Sequence, residues 1–236
     1  MGPQLSVVMP VYNEQAAIGA VLEKWNRELS RLGIDFRIDV YNDGSKDNTL
    51  VVLNSIAQKR PRIVVHDKRN SGHGPTILQG YQQNSDCEWV FQTDSDDEMQ
   101  PEHFEKLWKK REHHDFLLGH RLGQNQPLPR RIISLISRLT VWGLFGRGVL
   151  DVNVPYRLMR TEKLKPIFHA LPQRTFAPNV IISGWVARKK LRILEVPVPH
   201  SARKTGTVSL QKWSLFKAAM RSFMQTLAFR WSGEMP

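Results

Sequence analysis

A single cysteine, Cys87, occurs among the 236 residues. That excludes an internal disulfide and a zinc site built on several thiolates, and it fits a reducing compartment. No stretch reaches the ~18 consecutive apolar residues that a bilayer-spanning helix needs. The amino-terminal MGPQLSVVMP carries neither a basic n-region nor a long apolar core, so no signal peptide is expected. The P-loop pattern GxxxxGK[ST] and the dinucleotide fingerprint GxGxxG are also missing, which argues against the nucleotide-binding classes those motifs mark. Acidic residues are in the minority, 22 against 34 Lys and Arg, for a formal net charge of +12. A surface of that sign attracts polyanions such as nucleic acid, phosphorylated ligands or an anionic membrane face.

What is present is an alternation of strand and helix signals through the first half. The apolar run LSVVMPVYN is followed by Ile18, Val21, Leu22, Trp25 and Leu29 at helical spacing. FRIDVYND, RIVVHD, CEWVFQTD and DFLLGHR read as further strands, with helical segments between them. PEHFEKLWKKREHH is one such helix, with Pro101 in its first turn. This pattern predicts an α/β fold with a mostly parallel, Rossmann-like sheet and helices on both faces. Ligands of such sheets sit beyond the carboxyl ends of the strands. The polar clusters fall there: Asn13-Glu14, Asn42-Asp43-Gly44-Ser45, and Asp94 to Glu98.

The last cluster, TDSDDE, concentrates carboxylates directly after the apolar WVF. Alternate residues of an extended chain share a face, so a strand persisting here would aim Asp94, Asp96 and Glu98 at one point. Carboxylates so close repel one another unless a cation lies between them. Hard oxygens suit Mg2+ or Mn2+, usually with substrate phosphates completing the shell. Asp97 reads as a cap for the following helix. A solvated acidic turn is the plainer alternative. Gly44 permits a tight turn after Asp43, and NSGHGPT offers backbone N–H groups to an anion at a helix start, with His73 as a ligand contact or a turn residue.

After residue 121 the character changes. PLPRRIISLISRLTVWGLFGRG predicts an apolar helix carrying four arginines. LRILEVPVPH is a strand interrupted by prolines and therefore expected at an edge. In the tail, Leu210, Trp213, Phe216, Met220, Phe223, Met224, Leu227 and Trp231 form one helical stripe. Such stripes either cover a core or lie at a headgroup boundary. Residues 1–207 are expected to form one domain of two halves, 1–120 and 121–207. Residues 208–236 are expected to form an amphipathic carboxyl-terminal helix.

The ordered segments VVMPVYNE, NDGSKDNT, RNSGHGPTILQGY and TDSDDEMQPE resemble the nucleotide-sugar-binding half of family 2 glycosyltransferases of GT-A fold. GHR, PRRIIS, DVNVPYRLMR and HSARKTG are similar to segments of members that charge a polyprenyl phosphate. The resemblance implies an inverting, metal-dependent transfer from a UDP- or GDP-linked sugar to a polyprenyl phosphate. It places Pro10, Tyr12, Glu14 and Asp43 around the nucleotide. Asp94, Asp96 and Glu98 would meet Mg2+ or Mn2+ and the diphosphate. Arg121, Arg130, Ser134 and Arg157 would receive the acceptor phosphate or the diphosphate, and Arg203 would close over the diphosphate. Asp151 is the base candidate for a hydroxyl acceptor. The Q-x-x-R-W element of processive synthases is missing. The resemblance leaves open a protein peripheral at the cytoplasmic membrane face, a membrane-protein subunit as a partner, or a soluble acceptor, with no nucleic acid expected beyond the nucleotide. The competing readings are a family 2 enzyme using a glycan or other hydroxyl acceptor, and a noncatalytic basic module binding membrane or nucleic acid.

Overall fold

The computed structural model describes residues 2–122, 128–146, 148–199, 212–233 and 236; the side chains of residues 121–122, 128–133 and 212–216 lie outside that description. Seven strands, β1 (Leu5–Val11), β2 (Phe36–Asp43), β3 (Ile63–Lys68), β4 (Trp89–Thr93), β5 (Phe116–Leu122), β6 (Tyr156–Arg160) and β7 (Ile193–Pro199), form one sheet. Their order is β3-β2-β1-β4-β6-β5-β7. Only β6 runs against its neighbours; β1, β2, β3 and β4 are parallel, as are β5 and β7. The mostly parallel sheet expected from the strand–helix alternation is therefore present. The Pro-interrupted strand β7 takes an edge, where missing N–H donors do least harm.

All seven residues of β1 are buried, as a strand covered on both faces requires. Helix α1 (Ile18–Arg31) buries the whole predicted stripe, Ile18, Val21, Leu22, Trp25 and Leu29. Trp25 packs against Phe91 of β4 at 5.3 Å between ring centroids, and Phe91 meets Tyr156 of β6 edge-on at 4.9 Å. This aromatic cluster ties β4 to its neighbours just before the acidic segment. Helices α2 (Thr49–Lys59) and α3 (His73–Gln83) follow β2 and β3.

The segment after β4 departs from expectation. Instead of one helix from Pro101 there is a 3-10 turn (Pro101–His103), a short α4 (Phe104–Trp108) and a second 3-10 turn (Arg111–His113). The Arg111 guanidinium stacks on the Trp108 ring and donates to the Trp108 carbonyl, the acceptor that a continuing helix would offer to residue 112. Asp97 is no helix cap. Its φ is +59°, and its carboxylate pairs with Lys24 of α1 at 2.6 Å.

The second half adds α5 (Leu128–Phe145), α6 (Thr161–Ala170), α7 (Pro178–Arg188) and α8 (Lys212–Trp231). Helices α5, α7 and α8 pack together. Along its described part α8 turns Ser222, Thr226 and Phe229 inward. Met220, Phe223, Met224 and Trp231 of the predicted stripe face outward, and Leu135, Ile136 and Leu139 of α5 are exposed as well. Among the described residues, no helix is long and apolar enough to cross a membrane.

Candidate active site

The loops after β1 and β2 are stapled to each other. Asn13 accepts from the Lys46 N–H at 2.8 Å through Oδ1, and its own N–H donates to Ser45 Oγ at 3.0 Å. Asn13 holds φ at +55°, a region asparagine tolerates better than most residues. The Glu14 N–H donates to Thr49 Oγ1 at 2.8 Å, at the first turn of α2. Asp47 Oδ1 accepts from the Thr49 N–H at 3.0 Å and so serves that helix start.

The loop after β3 is held by Asp43. Its carboxylate accepts from the N–H groups of Ser71 and Gly72, at 2.8 and 2.9 Å, and from the Lys68 ammonium. Burial works against its ionised form, but Lys68 and these amides outweigh it and keep the Asp43 pKa below the usual range. Asn70 reaches back to the Asp43 carbonyl at 2.8 Å. Gly44 makes the close approach feasible: its φ is +65°, and a Cβ there would sit 2.8 Å from the Asn70 nitrogen.

These loops and the end of β4 enclose a cleft of about 320 Å3. That falls at the small end of small-molecule sites. The structure brings six of the predicted residues to this cleft: Pro10, Tyr12, Glu14, Asp43, Asp94 and Asp96. His73, the first residue of α3, also lines it, with Nε2 3.8 Å from Asp94 Oδ1. Asn70, Thr76 and Ser95 join them without having been singled out as site residues. Lys68 was missed too, although a charged residue at the carboxyl end of a strand follows the rule that marks Asp43.

Other expectations separate from this group. Strand β4 ends at Thr93, so the alternation that would align Glu98 with Asp94 and Asp96 does not persist. Glu98 donates its N–H to Asp96 Oδ1 at 3.2 Å and does not line the cleft. Arg157, expected to receive a phosphate, is fully buried in β6. Its guanidinium donates to the carbonyls of Val152, Val154 and Asn179, so it braces the wall behind the site rather than opening on it. Ser134 is exposed on α5, away from the cleft lining. Asp151 lies in the turn before β6, beside Glu195, whose pKa burial pushes up. The side chains of Arg121 and Arg130, and Arg203 altogether, lie outside the described residues.

Asp94 and Asp96 give the cleft two sources of hard carboxylate oxygen, a donor set that fits Mg2+ or Mn2+. Among the described residues no group of three His, Cys, Asp or Glu is arranged to hold a metal ion. Such a set suits a cation that takes its remaining ligands from a diphosphate and water.

The α3 side of the cleft is set from a distance. Gly74, in the first turn of α3, lies so close to the loop before α7 that a Cβ would fall 1.9 Å from the Phe176 carbonyl oxygen. That loop hangs on α8: the Phe176 N–H donates to Gln225 Oε1 at 2.7 Å, and the Arg221 guanidinium lies over the Phe176 ring.

The family model described as Glycosyl transferase family 2 matches residues 6–168. An undecaprenyl-phosphate 4-deoxy-4-formamido-L-arabinose transferase of Serratia proteamaculans is 29% identical over 217 residues, covering 91% of this chain and 64% of that protein. The enzyme of the same name from Edwardsiella ictaluri is 28% identical, covering 90% and 64%. The chain thus spans a little under two thirds of the curated relatives it matches. Glucosyl-3-phosphoglycerate synthase from Mycobacterium tuberculosis, solved with Mn2+, UDP-glucose and phosphoglyceric acid, superposes with a TM-score of 0.69 at 19% identity, over 97% of this chain and 80% of that one. A mannosyltransferase from Pyrobaculum calidifontis, solved with GDP-mannose and Mn2+, gives 0.63 at 15% identity, over 97% and 70%.

Proposed function

The chain belongs to glycosyl transferase family 2, and from that premise we propose that it transfers a sugar from a nucleoside-diphosphate sugar to a polyprenyl phosphate at a membrane surface. The observation that carries the donor half is the meeting of Asp94 and Asp96 with Pro10, Tyr12, Glu14 and Asp43 around one cleft. The half-exposed Tyr12 ring offers a face to a base, and the Asp43-pinned loop shapes the wall beside it. Asp94 and Asp96 would hold Mg2+ or Mn2+ together with the diphosphate, and the cation would supply charge neutralisation of the leaving nucleoside diphosphate.

The acceptor follows from its chemistry. A phosphate monoester has its second pKa near ~6 and is already an oxyanion at neutral pH. It attacks the anomeric carbon without a general base, in a single displacement with inversion. Arginines position it through charge-assisted hydrogen bonds; Arg121, Arg130 and Arg203 are the candidates, and the buried Arg157 is not. The names of the curated relatives support an undecaprenyl-type acceptor. The outward apolar faces of α5 and α8, with exposed Lys217 and Arg221 nearby, support delivery of that lipid from a headgroup surface.

The test incubates the protein with Mn2+ or Mg2+, labelled UDP- and GDP-sugars, a short polyprenyl phosphate and, as the competing acceptor, free oligosaccharides. Label is expected in the lipid phosphate, and Asp96→Asn is expected to lower the rate by about 10²-fold. Label appearing only in free oligosaccharides would overturn the acceptor.

A further inference from the structure

Beneath the cleft lies a run of polar side chains sealed from solvent. Tyr81 of α3, Gln92 of β4 and Asn179 of α7 are each at most 2% exposed. Asn179 Nδ2 donates to Gln92 Oε1 at 2.9 Å. The Tyr81 hydroxyl lies 3.0 Å from the same oxygen and 2.8 Å from Asn179 Oδ1. Burial pushes the Tyr81 pKa up, so the phenol stays protonated. With Oε1 accepting from Asn179 Nδ2 and facing the Tyr81 hydroxyl, Nε2 is the end of the Gln92 amide that faces the cleft. It donates to Asp94 Oδ1 at 3.1 Å. The backbone carbonyl of Asn179 is in turn fixed by the Arg157 guanidinium at 3.3 Å.

A buried amide is costly unless satisfied, and apolar residues would fill this space more simply. The torsion that rotates a carboxylate about its own axis is soft. A donor locked from behind therefore sets which way the Asp94 oxygens point. We infer that Gln92, held by Asn179 and Tyr81, is a positioning residue that orients Asp94 for the cation and diphosphate. The inference rests on the reading of Asp94 and Asp96 given above. It assigns the sealed layer between α3, β4 and α7 a part in metal affinity: outer partners of a ligand set its orientation and basicity.

The test measures UDP binding by calorimetry across a range of Mn2+ concentrations. Gln92→Met is expected to raise the half-saturating Mn2+ concentration about tenfold while leaving metal-free UDP affinity nearly unchanged. Asp94→Asn is expected to weaken Mn2+ dependence as well. In the double variant the Gln92 change is expected to add almost nothing, because the group it orients has been altered. An unchanged Mn2+ requirement in Gln92→Met, or fully additive losses in the double variant, overturns the inference and leaves the site reading standing. An unchanged requirement in Asp94→Asn also overturns it; if Asp96→Asn is unchanged too, the site reading falls. Should Gln92→Met fail to fold, Tyr81→Phe removes a single hydroxyl and is expected to raise the Mn2+ requirement a few-fold, and no change there would overturn the inference.

Discussion

Asp39 shows how much a single residue organises. It is 1% exposed in the middle of β2 and accepts from Ser6 Oγ at 2.8 Å, from Arg37 Nε at 2.9 Å and from His66 Nε2 at 2.9 Å. Burial disfavours its charge, yet the bonds from His66, Arg37 and Ser6 outweigh that and keep its pKa below the ordinary value. A depressed carboxylate pKa stabilises the fold above the unfolded value of about 4 and loses that contribution as pH falls through the native one. Asp39→Asn is therefore expected to cost about 2–3 kcal/mol at neutral pH in chemical denaturation. The gap to the parent should narrow as pH drops from 5 toward 3; a gap equal at both ends would contradict the account. FRIDVYND puts Arg37 and Asp39 on one face of a strand. The other two partners, Ser6 and His66, come from β1 and β3, and strand order decides who they are. Asp43 differs: its position at a strand end beside Gly44 marked it in advance, although its grip on Ser71, Gly72 and Lys68 depended on the return of a later loop.

Elements were legible where their periodicity met water on one side. α1 alternates burial and exposure, and its five apolar positions were identifiable from spacing alone. α7 was not, because nine of its eleven residues are buried and a helix sealed all round has no polar face to reveal its period. The stripe on α8 was legible as a stripe, but spacing cannot say which neighbour it meets, and the inward side proved to be Ser222, Thr226 and Phe229. Glu98 was misplaced because the strand alternation assumed for it stops at Thr93. The link from α8 through Phe176 to Gly74 makes an element-level prediction. Gly74→Ala forces backbone apart at 1.9 Å and is expected to lower stability by about 1–3 kcal/mol. It is also expected to weaken UDP binding several-fold, read by calorimetry on folded protein. A variant that binds UDP normally would show that the first turn of α3 does not shape the nucleotide site.

Across the whole molecule, charge and apolar exposure act together. The net charge of +12 contrasts with an acidic cleft floor, and the outward residues of α5 and α8 add grease to that basic surface. Sedimentation with anionic vesicles is expected to fall as salt rises, because the Debye length shrinks from about 10 Å at 0.1 M to about 3 Å at 1 M. Met224→Glu combined with Trp231→Glu is expected to cut vesicle binding while sparing UDP affinity. Binding unaffected by these changes would remove α8 from the membrane-facing role.

The reversed strand β6 has one more consequence. It lies beyond residue 121, yet it pairs with β4, whose end carries Asp94, and with β5 on its other side. Through β6 the Arg157 that braces Asn179 lies opposite Gln92. A graft that exchanged everything beyond residue 121 between relatives would thus import a foreign strand beside the one that carries Asp94. On the proposed reading, donor and acceptor sites would diversify around this shared strand, with change confined to the loops it leaves untouched.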